Sequence, residues 1–537
     1  MLNHTIFHHP QLGALKGEVI NERLLQFRDL PYGCIPQRFA RSTVVENLPG
    51  QGQGQPYDAT GVPPGSVQPK DAAKTDCKGN QLPIDLVEGY QEDQSEDCST
   101  LNITMPTNAT SSSSLPVIVF LHGGAFFLGS STRPYYSPIK FCEQSLERGL
   151  PHVFVSMNYR LGGLGFFHSP EAEQVIPANN GVHDQLVGFE FVRKFVRGFG
   201  GDPTQITAMG QSAGAMSLSI HSLSGIDNAW KRSIQFSGSL VTMPVQSPKE
   251  HQQNFLSQAA KLGIDTKGRS SREIAKDMLA VPVNDIRDTG YVGMPCSQSE
   301  LLPYETASMA LTRRRPPTSQ SQIVASATYD GGISYNMMLQ DSKRKDHAKV
   351  FINIAEDVLE HPQGLLDLYG IEAENEDTVA LRKICQFESD VGFFAASLAQ
   401  AQGCPGKTYL LLFDLGNPFE GSLPAKQYAT HTWDIVALLG AYEDRLDEEY
   451  KGVVASFREK LLLYATTGEA PWPAWTEVKG EALVMDRQGL RVVVKDDYMA
   501  EESRRGKLLA LAEKEAGENG CDVLWSDVCR RFLMQGE

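Results

Sequence analysis

Six short, largely apolar runs, each closing on a polar or glycine-rich block, set the strongest limit on how this chain can fold. They are Leu115–Leu121, Val153–Met157, Ile206–Met209, Ser233–Phe236, Ile323–Thr328 and Thr408–Leu415. A strand with one wet face alternates apolar and polar residues, whereas a strand of a parallel sheet is covered on both faces and reads as a continuous apolar run. Helix-period segments lie between many of the runs. One is 185–196, where Leu186, Phe189, Val192, Phe195 and Val196 recur at helical spacing. The pattern predicts an α/β architecture, with a mostly parallel central sheet flanked by helices. Such sheets gather their chemistry beyond the carboxyl ends of the strands, so the closing blocks are the places to look for function.

The run Ile206–Met209 closes on Gly210-Gln211-Ser212-Ala213-Gly214, and a helix-compatible segment, 215–220, follows at once. Strand, sharp turn and helix in that order make a nucleophile elbow, with the serine hydroxyl held out on a strained turn. The flanking glycines leave room where side chains would collide with the neighbouring strand and helix. A hydrolytic serine also needs a base, an acid to orient the base, and donors for an oxyanion. The first run closes on His122-Gly123-Gly124-Ala125. Consecutive small residues there can turn backbone N–H groups toward one point, and Ala213 adds another from behind the serine. The acid and the base of this arrangement follow the serine in that order. Asp330 stands just past the fifth run and before two glycines, so a loop can present its carboxylate, although an Asp-Gly pair also makes an ordinary turn. Beyond it lie only His347, His361 and His431. His347 sits in a charged segment and His361 precedes a proline, whereas His431 ends a long loop and leads into the apolar helix start Trp433-Asp434-Ile435-Val436. The expected constellation is Ser212, Asp330 and His431, with Gly123, Gly124, Ala125 and Ala213 forming the oxyanion hole.

Composition narrows the partners. A net charge of −16 argues against nucleic acid and against anionic membranes, both of which select basic patches. No apolar stretch approaches the ~20 residues that a membrane helix needs. The opening residues Met1–Pro10 have neither the basic start nor the apolar centre of a secretion signal, which predicts a cytoplasmic protein. Nine cysteines are too sparse for a disulfide framework. There is no metal-binding histidine or cysteine spacing and no phosphate loop, so no metal and no organic cofactor is expected. No linker divides the 537 residues, which read as a single domain over 1–537, with 48–74 and 108–114 as surface loops.

With these residues assembled, the chain resembles the type-B carboxylesterase/lipase family, which includes the cholinesterases, over about 17–475. The resemblance rests on ordered blocks: Ser95-Glu96-Asp97-Cys98 with Leu101-Asn102, His122-Gly123-Gly124, Asn158–Gly162, Asn180-Gly181 with Asp184-Gln185, Phe199–Pro203, the elbow, Ser237-Gly238, and His431 with Asp434. It implies the α/β-hydrolase fold with long insertions, and a carboxylesterase in which Ser212 is nucleophile, His431 base and Asp330 acid. It implies Gly124, Ala125 and Ala213 as oxyanion donors, Gly123 shaping their loop, and Arg160 paired with Glu96 or Asp97. It also implies a Cys77–Cys98 bridge, which a reducing compartment would leave open. Relatives usually carry Glu where this chain has Gln211, more often Glu where it has Asp330, and Gly where it has Ala125. The loop 77–98 holds Tyr90 and no tryptophan, which weakens an aromatic cage for choline. A small-molecule ester is the expected substrate. The same triad would also serve an acyl-transfer or lactone-processing tailoring enzyme or an interfacial lipase, and an inactive relative would be a binding protein.

Overall fold

The computed structural model describes residues 3–535 apart from 53, 91–92, 228 and 315–318. Twelve strands run through its main sheet: β1 (Asn3–His9), β2 (Gly13–Val19), β3 (Leu24–Pro31), β4 (Thr100–Pro106), β5 (Leu115–Leu121), β6 (Val153–Met157), β7 (Gly201–Gln211), β8 (Arg232–Phe236), β9 (Ser321–Ala327), β10 (Lys407–Phe413), β11 (Ala482–Asp486) and β12 (Gly489–Val493). Their order across the sheet is β1-β2-β3-β4-β6-β5-β7-β8-β9-β10-β11-β12, and Tyr57–Asp58 pairs with β2 as a short thirteenth strand. Every pairing from β6 to β11 is parallel. The main strands flanking that block pair antiparallel, and Tyr57–Asp58 pairs parallel with β2.

The apolar runs become the parallel block because both of its faces are covered. Along β5, Ile118 and Phe120 join one core with Met209, Ile234 and Phe236, while Val117, Val119 and Leu121 join the opposite core with Val155 and Ala208. Helix α1 (Asn180–Phe195) closes the second face with Phe189, Val192 and Phe195. The elbow helix α2 (Ala213–Leu223) is buried along its whole length, which explains its almost continuous apolar and small-residue sequence. Helix α3 (Asp377–Glu388) runs into a π-helical turn, Ser389–Phe394. Helix α4 (Glu448–Thr467) covers the first face with Val454, Phe457, Leu461 and Tyr464. Each fully buried Phe or Leu of these layers contributes about 1.5–3 kcal/mol relative to exposure.

Helix α5 (Arg504–Ala516) and the residues after it fold back over α3 and its π-helical turn. Asp390 of that turn is buried and accepts hydrogen bonds from Arg504, Arg505 and the Tyr369 hydroxyl. A side chain at Gly392 would come within 2.4 Å of the Trp525 ring, so this turn is packed tightly from the C-terminal side.

Two expectations need correction. Residues 108–114 are largely exposed, but 48–74 is not wholly a surface excursion, because Gly65, Ser66 and Gln68 are buried. Gln68 donates to the Gly129 carbonyl at 2.9 Å and accepts from its N–H at 3.0 Å, tying this stretch to the loop after β5. Arg160 does not pair with Glu96 or Asp97. It forms a two-pronged ion pair with Asp184 of α1, at 2.8 Å from both Nε and Nη2, and both side chains are buried. Glu96 pairs with Arg38 instead. Asp184 wins because it is buried on the adjacent helix, where its oxygens match the planar guanidinium fork. Among the described residues, no helix is long and apolar enough to cross a membrane.

Candidate active site

Sheet order and register gather the closing blocks at one edge. Leu121 of β5 pairs with Gly210 of β7, and Gln211 of β7 pairs with Phe236 of β8. The chain therefore leaves β5 at His122, β7 at Ser212 and β8 at Ser237 side by side. Ser212 has φ +53° and ψ −121°, a conformation that L-residues rarely adopt. Its N–H donates to the Phe236 carbonyl at 2.9 Å, and its carbonyl accepts from Met216 as α2 begins. The glycines are obligatory here: a Cβ on Gly214 would lie 2.2 Å from the Leu121 carbonyl oxygen, and one on Gly210 2.5 Å from that of Gly214.

The loop 122–125 packs against this elbow. A Cβ on Gly123 would stand 2.9 Å from the Ser212 Cβ and 2.4 Å from Gln211 Oε1. Gly124 and Ala125 both have positive φ, +98° and +55°, so their N–H groups turn away from an extended course. Among the described residues, neither N–H donates to a protein acceptor. The Ala213 N–H opens α2 and belongs to the first helical turn, which has no acceptor within the helix. His122 is buried and stacked on Tyr159, with ring centroids 4.5 Å apart, and burial pushes its imidazole down to about 4. It is a neutral structural residue.

Asp330 and His431 arrive on two loops that are zipped together one residue upstream of each. Tyr329 and Thr430 form a parallel bridge, and the Tyr329 N–H donates to the Ala429 carbonyl. Asp330 is fully buried; its Oδ1 lies 2.8 Å from His431 Nδ1, and its Oδ2 accepts the Ala327 N–H at 2.8 Å. Gly331 lets the Cys385 backbone approach, since a Cβ there would fall 2.1 Å from the Cys385 carbonyl oxygen.

The other ring nitrogen has a partner that sequence reasoning missed. His431 Nε2 lies 3.1 Å from the amide nitrogen of Gln211, which is also 3.1 Å from Thr432 Oγ1. Among the described residues, Ser212 Oγ makes no hydrogen bond to His431. The structure thus joins Asp330 to His431 directly and sets both beside the elbow, while the serine hydroxyl makes no hydrogen bond to the imidazole. A base and nucleophile in a ligand-free site often lack that bond.

Acidic groups surround the imidazole. Asp434 accepts the Ser237 hydroxyl at 2.6 Å, and burial with repulsion from Asp330 pushes its carboxyl up to about 6. Glu388, at the end of α3, accepts the Ser334 hydroxyl at 2.7 Å and is pushed up to about 7, chiefly by burial. Asp76, on the helix Ala72–Gly79, is raised by burial and bonded to Tyr135 and Asn80. Burial alone would lower His431, but the hydrogen bond and charge of Asp330, with Asp434 and Glu388 adding, hold it above the usual histidine value. The Phe393 ring of the π-helical turn meets the imidazole edge-on at 5.4 Å. Glu388, Asp76 and Phe393 carried no local sequence signal; Gln211 did, as the departure beside the serine.

Cys77 and Cys98 are unbonded, buried thiols, each pushed up to about 12 chiefly by burial. Among the described residues, no group of three or more His, Cys, Asp or Glu side chains could hold a metal ion.

Residues 5–487 match the model of the carboxylesterase family. The chain belongs to the carboxylesterase family. Over 521 residues it is 25% identical to the para-nitrobenzyl esterase of Bacillus subtilis (strain 168), covering 92% of this chain and 97% of that one. A stretch of 157 residues is 35% identical to Lipase 5 of Diutina rugosa, covering 29% of this chain and 28% of the lipase, under a third of that relative's length. A solved structure of a PNB esterase superposes with a TM-score of 0.73 at 21% identity, covering 94% of this chain and all of the other. That likeness carries the fold, which is the α/β-hydrolase fold. As a member of the family, this carboxylesterase is a carboxylic ester hydrolase.

Proposed function

We propose that this carboxylesterase hydrolyses small carboxylic esters by two-step acyl transfer through Ser212, with His431 as general base and Asp330 as its orienting acid. The observation that carries this reading is the buried 2.8 Å hydrogen bond from His431 Nδ1 to Asp330, set beside the strained Ser212 of the elbow. That bond commits the ring proton to Nδ1 and leaves Nε2 as the acceptor for the serine proton.

In the first step Ser212 Oγ attacks the ester carbonyl carbon, its proton passes to His431 Nε2, and the carbonyl π electrons move to oxygen. The N–H groups of Gly124, Ala125 and Ala213 receive that oxyanion, and Gly123 admits their loop to the elbow. Donors of this kind are worth about 3–4 kcal/mol each in the transition state. The imidazolium returns its proton to the departing alkoxide, leaving the acyl group on Ser212. Water then attacks the acyl-enzyme by the same route in reverse, with His431 taking its proton and handing it to Ser212.

A screen of p-nitrophenyl esters of increasing acyl length, run beside Ser212→Ala, tests the proposal. Release of p-nitrophenol by the parent, with loss of at least ~10³-fold in the alanine variant, is the expected outcome. An alanine variant that turns over at the parent rate would remove Ser212 from the mechanism.

A further inference from the structure

The contact between Gln211 and His431 has a fixed direction, and the direction can be traced through a chain of buried groups. Asn80 Nδ2 donates to the backbone carbonyl of Asp76 at 2.9 Å as well as to its carboxylate. A carbonyl can only accept, so the Asn80 amide has one orientation, with Oδ1 facing Thr432 Oγ1 at 2.8 Å. The Thr432 hydroxyl has a single hydrogen and spends it on that oxygen. Its own lone pairs are then left to accept from Gln211 Nε2 at 3.1 Å. The second hydrogen of the same NH2 group faces His431 Nε2, also at 3.1 Å. Turning the Gln211 amide over would bring its oxygen against the Thr432 oxygen with no hydrogen between them.

We propose that Gln211 is a positioning residue for the base: its amide N–H caps His431 Nε2, selects the neutral imidazole protonated on Nδ1, and must withdraw when Ser212 delivers its proton to that nitrogen. The inference rests on the function proposed for Ser212 and His431. When the O–H bond of Ser212 breaks, the proton goes to Nε2 and the oxygen's electron pair goes to the carbonyl carbon. The new Nε2–H then points at the Gln211 N–H, two donors face to face, until the amide moves aside.

The groups around His431 pull in opposite directions. Asp330 on its own loop, Asp434 on the helix Trp433–Leu439, Glu388 at the end of α3 and Asp76 on the helix Ala72–Gly79 all favour the imidazolium. Arg133 faces Asp76 and offsets part of its charge. Among the described neighbours, Gln211 is the group that donates to Nε2 and so opposes protonation there. A glutamate at 211 would join the acids instead and stabilise the charged ring. In this chain the neutral amide keeps His431 competent as a base to lower pH than four neighbouring carboxyls would otherwise allow. The side chain fits because residue 123 is glycine, where a Cβ would stand 2.4 Å from Gln211 Oε1.

The test is the pH dependence of covalent labelling of Ser212 by diisopropyl fluorophosphate, in the parent, Gln211→Glu and Thr432→Val, with folding checked by thermal unfolding. Labelling rises with pH as His431 loses its proton, so the midpoint of the rise reports the base in the free enzyme. Gln211→Glu is expected to move that midpoint up by about one unit or more. Thr432→Val does not touch Nε2; it frees the amide to turn its oxygen to the imidazolium, and is expected to move the midpoint in the same direction. A merely structural Gln211 would leave the midpoint of Thr432→Val in place, whereas the added carboxylate of Gln211→Glu raises it in either case, so Thr432→Val decides between the two roles. Upward shifts in both variants bear the proposal out; a midpoint equal to the parent's in either folded variant overturns it. If one variant does not fold, Gln211→Met, which removes the capping N–H, takes its place with the same upward shift expected. Failure to label the parent at any pH would instead remove the nucleophile reading.

Discussion

An Asp184→Asn exchange keeps the shape of the side chain and removes the charge against which Arg160 is buried. Arg160 donates to Asp184 from Nε and Nη2, each at 2.8 Å, and from its backbone N–H at 3.1 Å, while the Ser42 hydroxyl donates to the same carboxylate at 2.6 Å. The two side chains are 3% and 0% exposed, so water cannot take over when the charge is lost. Arg160 keeps its hydrogen bond to the Ala40 carbonyl but has no second carboxylate among its described contacts. A buried cation stranded in this way costs about 3–5 kcal/mol. That is a large share of the ~5–15 kcal/mol by which a domain is stable. The assay is urea unfolding followed by the fluorescence of the five tryptophans, with the stability loss read from the midpoint at unchanged slope. The double variant Arg160→Met with Asp184→Leu removes both charges and is expected to be much closer to the parent than Asp184→Asn. A loss under about 1 kcal/mol in the single variant, the behaviour of an exposed pair, would refute the reasoning.

Three further outcomes are expected. Asp330→Asn lowers ester turnover by about 10³–10⁴-fold, because the imidazole loses the partner that sets its tautomer; a turnover within tenfold of the parent would remove Asp330 from the site. Gly214→Ala places a methyl 2.2 Å from the Leu121 carbonyl oxygen and costs at least ~1–3 kcal/mol in the urea assay, whereas Gly452→Ala, in open space on α4, is neutral or stabilising. Glu388, pushed up to about 7, holds its proton in the folded state over a range where the unfolded chain has lost it. Stability therefore falls as pH rises from the unfolded value of about 4.5 toward 7, by up to about 3 kcal/mol, and Glu388→Gln flattens that slope in pH-dependent melting curves.

Much of the fold was legible because the parallel block imposes a plain rule on its residues. Leu115–Leu121 and Val153–Met157 are strands with the boundaries that their apolar runs suggest, and the other four runs are strands shifted or lengthened by a few residues. The outer antiparallel strands were less visible, since β1 and β2 carry mixed polar residues and have fewer covered faces. Glycine blocks marked the elbow and the neighbouring loop because close backbone approach excludes every other residue. The partner of Arg160 was not legible: Asp184, Glu96 and Asp97 are equally acidic in sequence, and only the packing of α1 decides among them. Gln211 could be seen as a departure, yet its role depends on Thr432 and Asn80, brought to it across 221 residues and by the Asp76 helix. Glu388 was not legible because its burial comes from α5 and the segment after it, which pack over the end of α3.

The most direct measurement is the fate of Ser212 during turnover. The enzyme is mixed with excess p-nitrophenyl acetate, quenched in acid, and analysed by mass spectrometry of the peptide that carries the elbow. The expected result is a stoichiometric burst of p-nitrophenol with one acetyl group on Ser212, both lost in Ser212→Ala. Full turnover with the acyl group on another residue, or an alanine variant as active as the parent, would contradict Ser212 as the nucleophile.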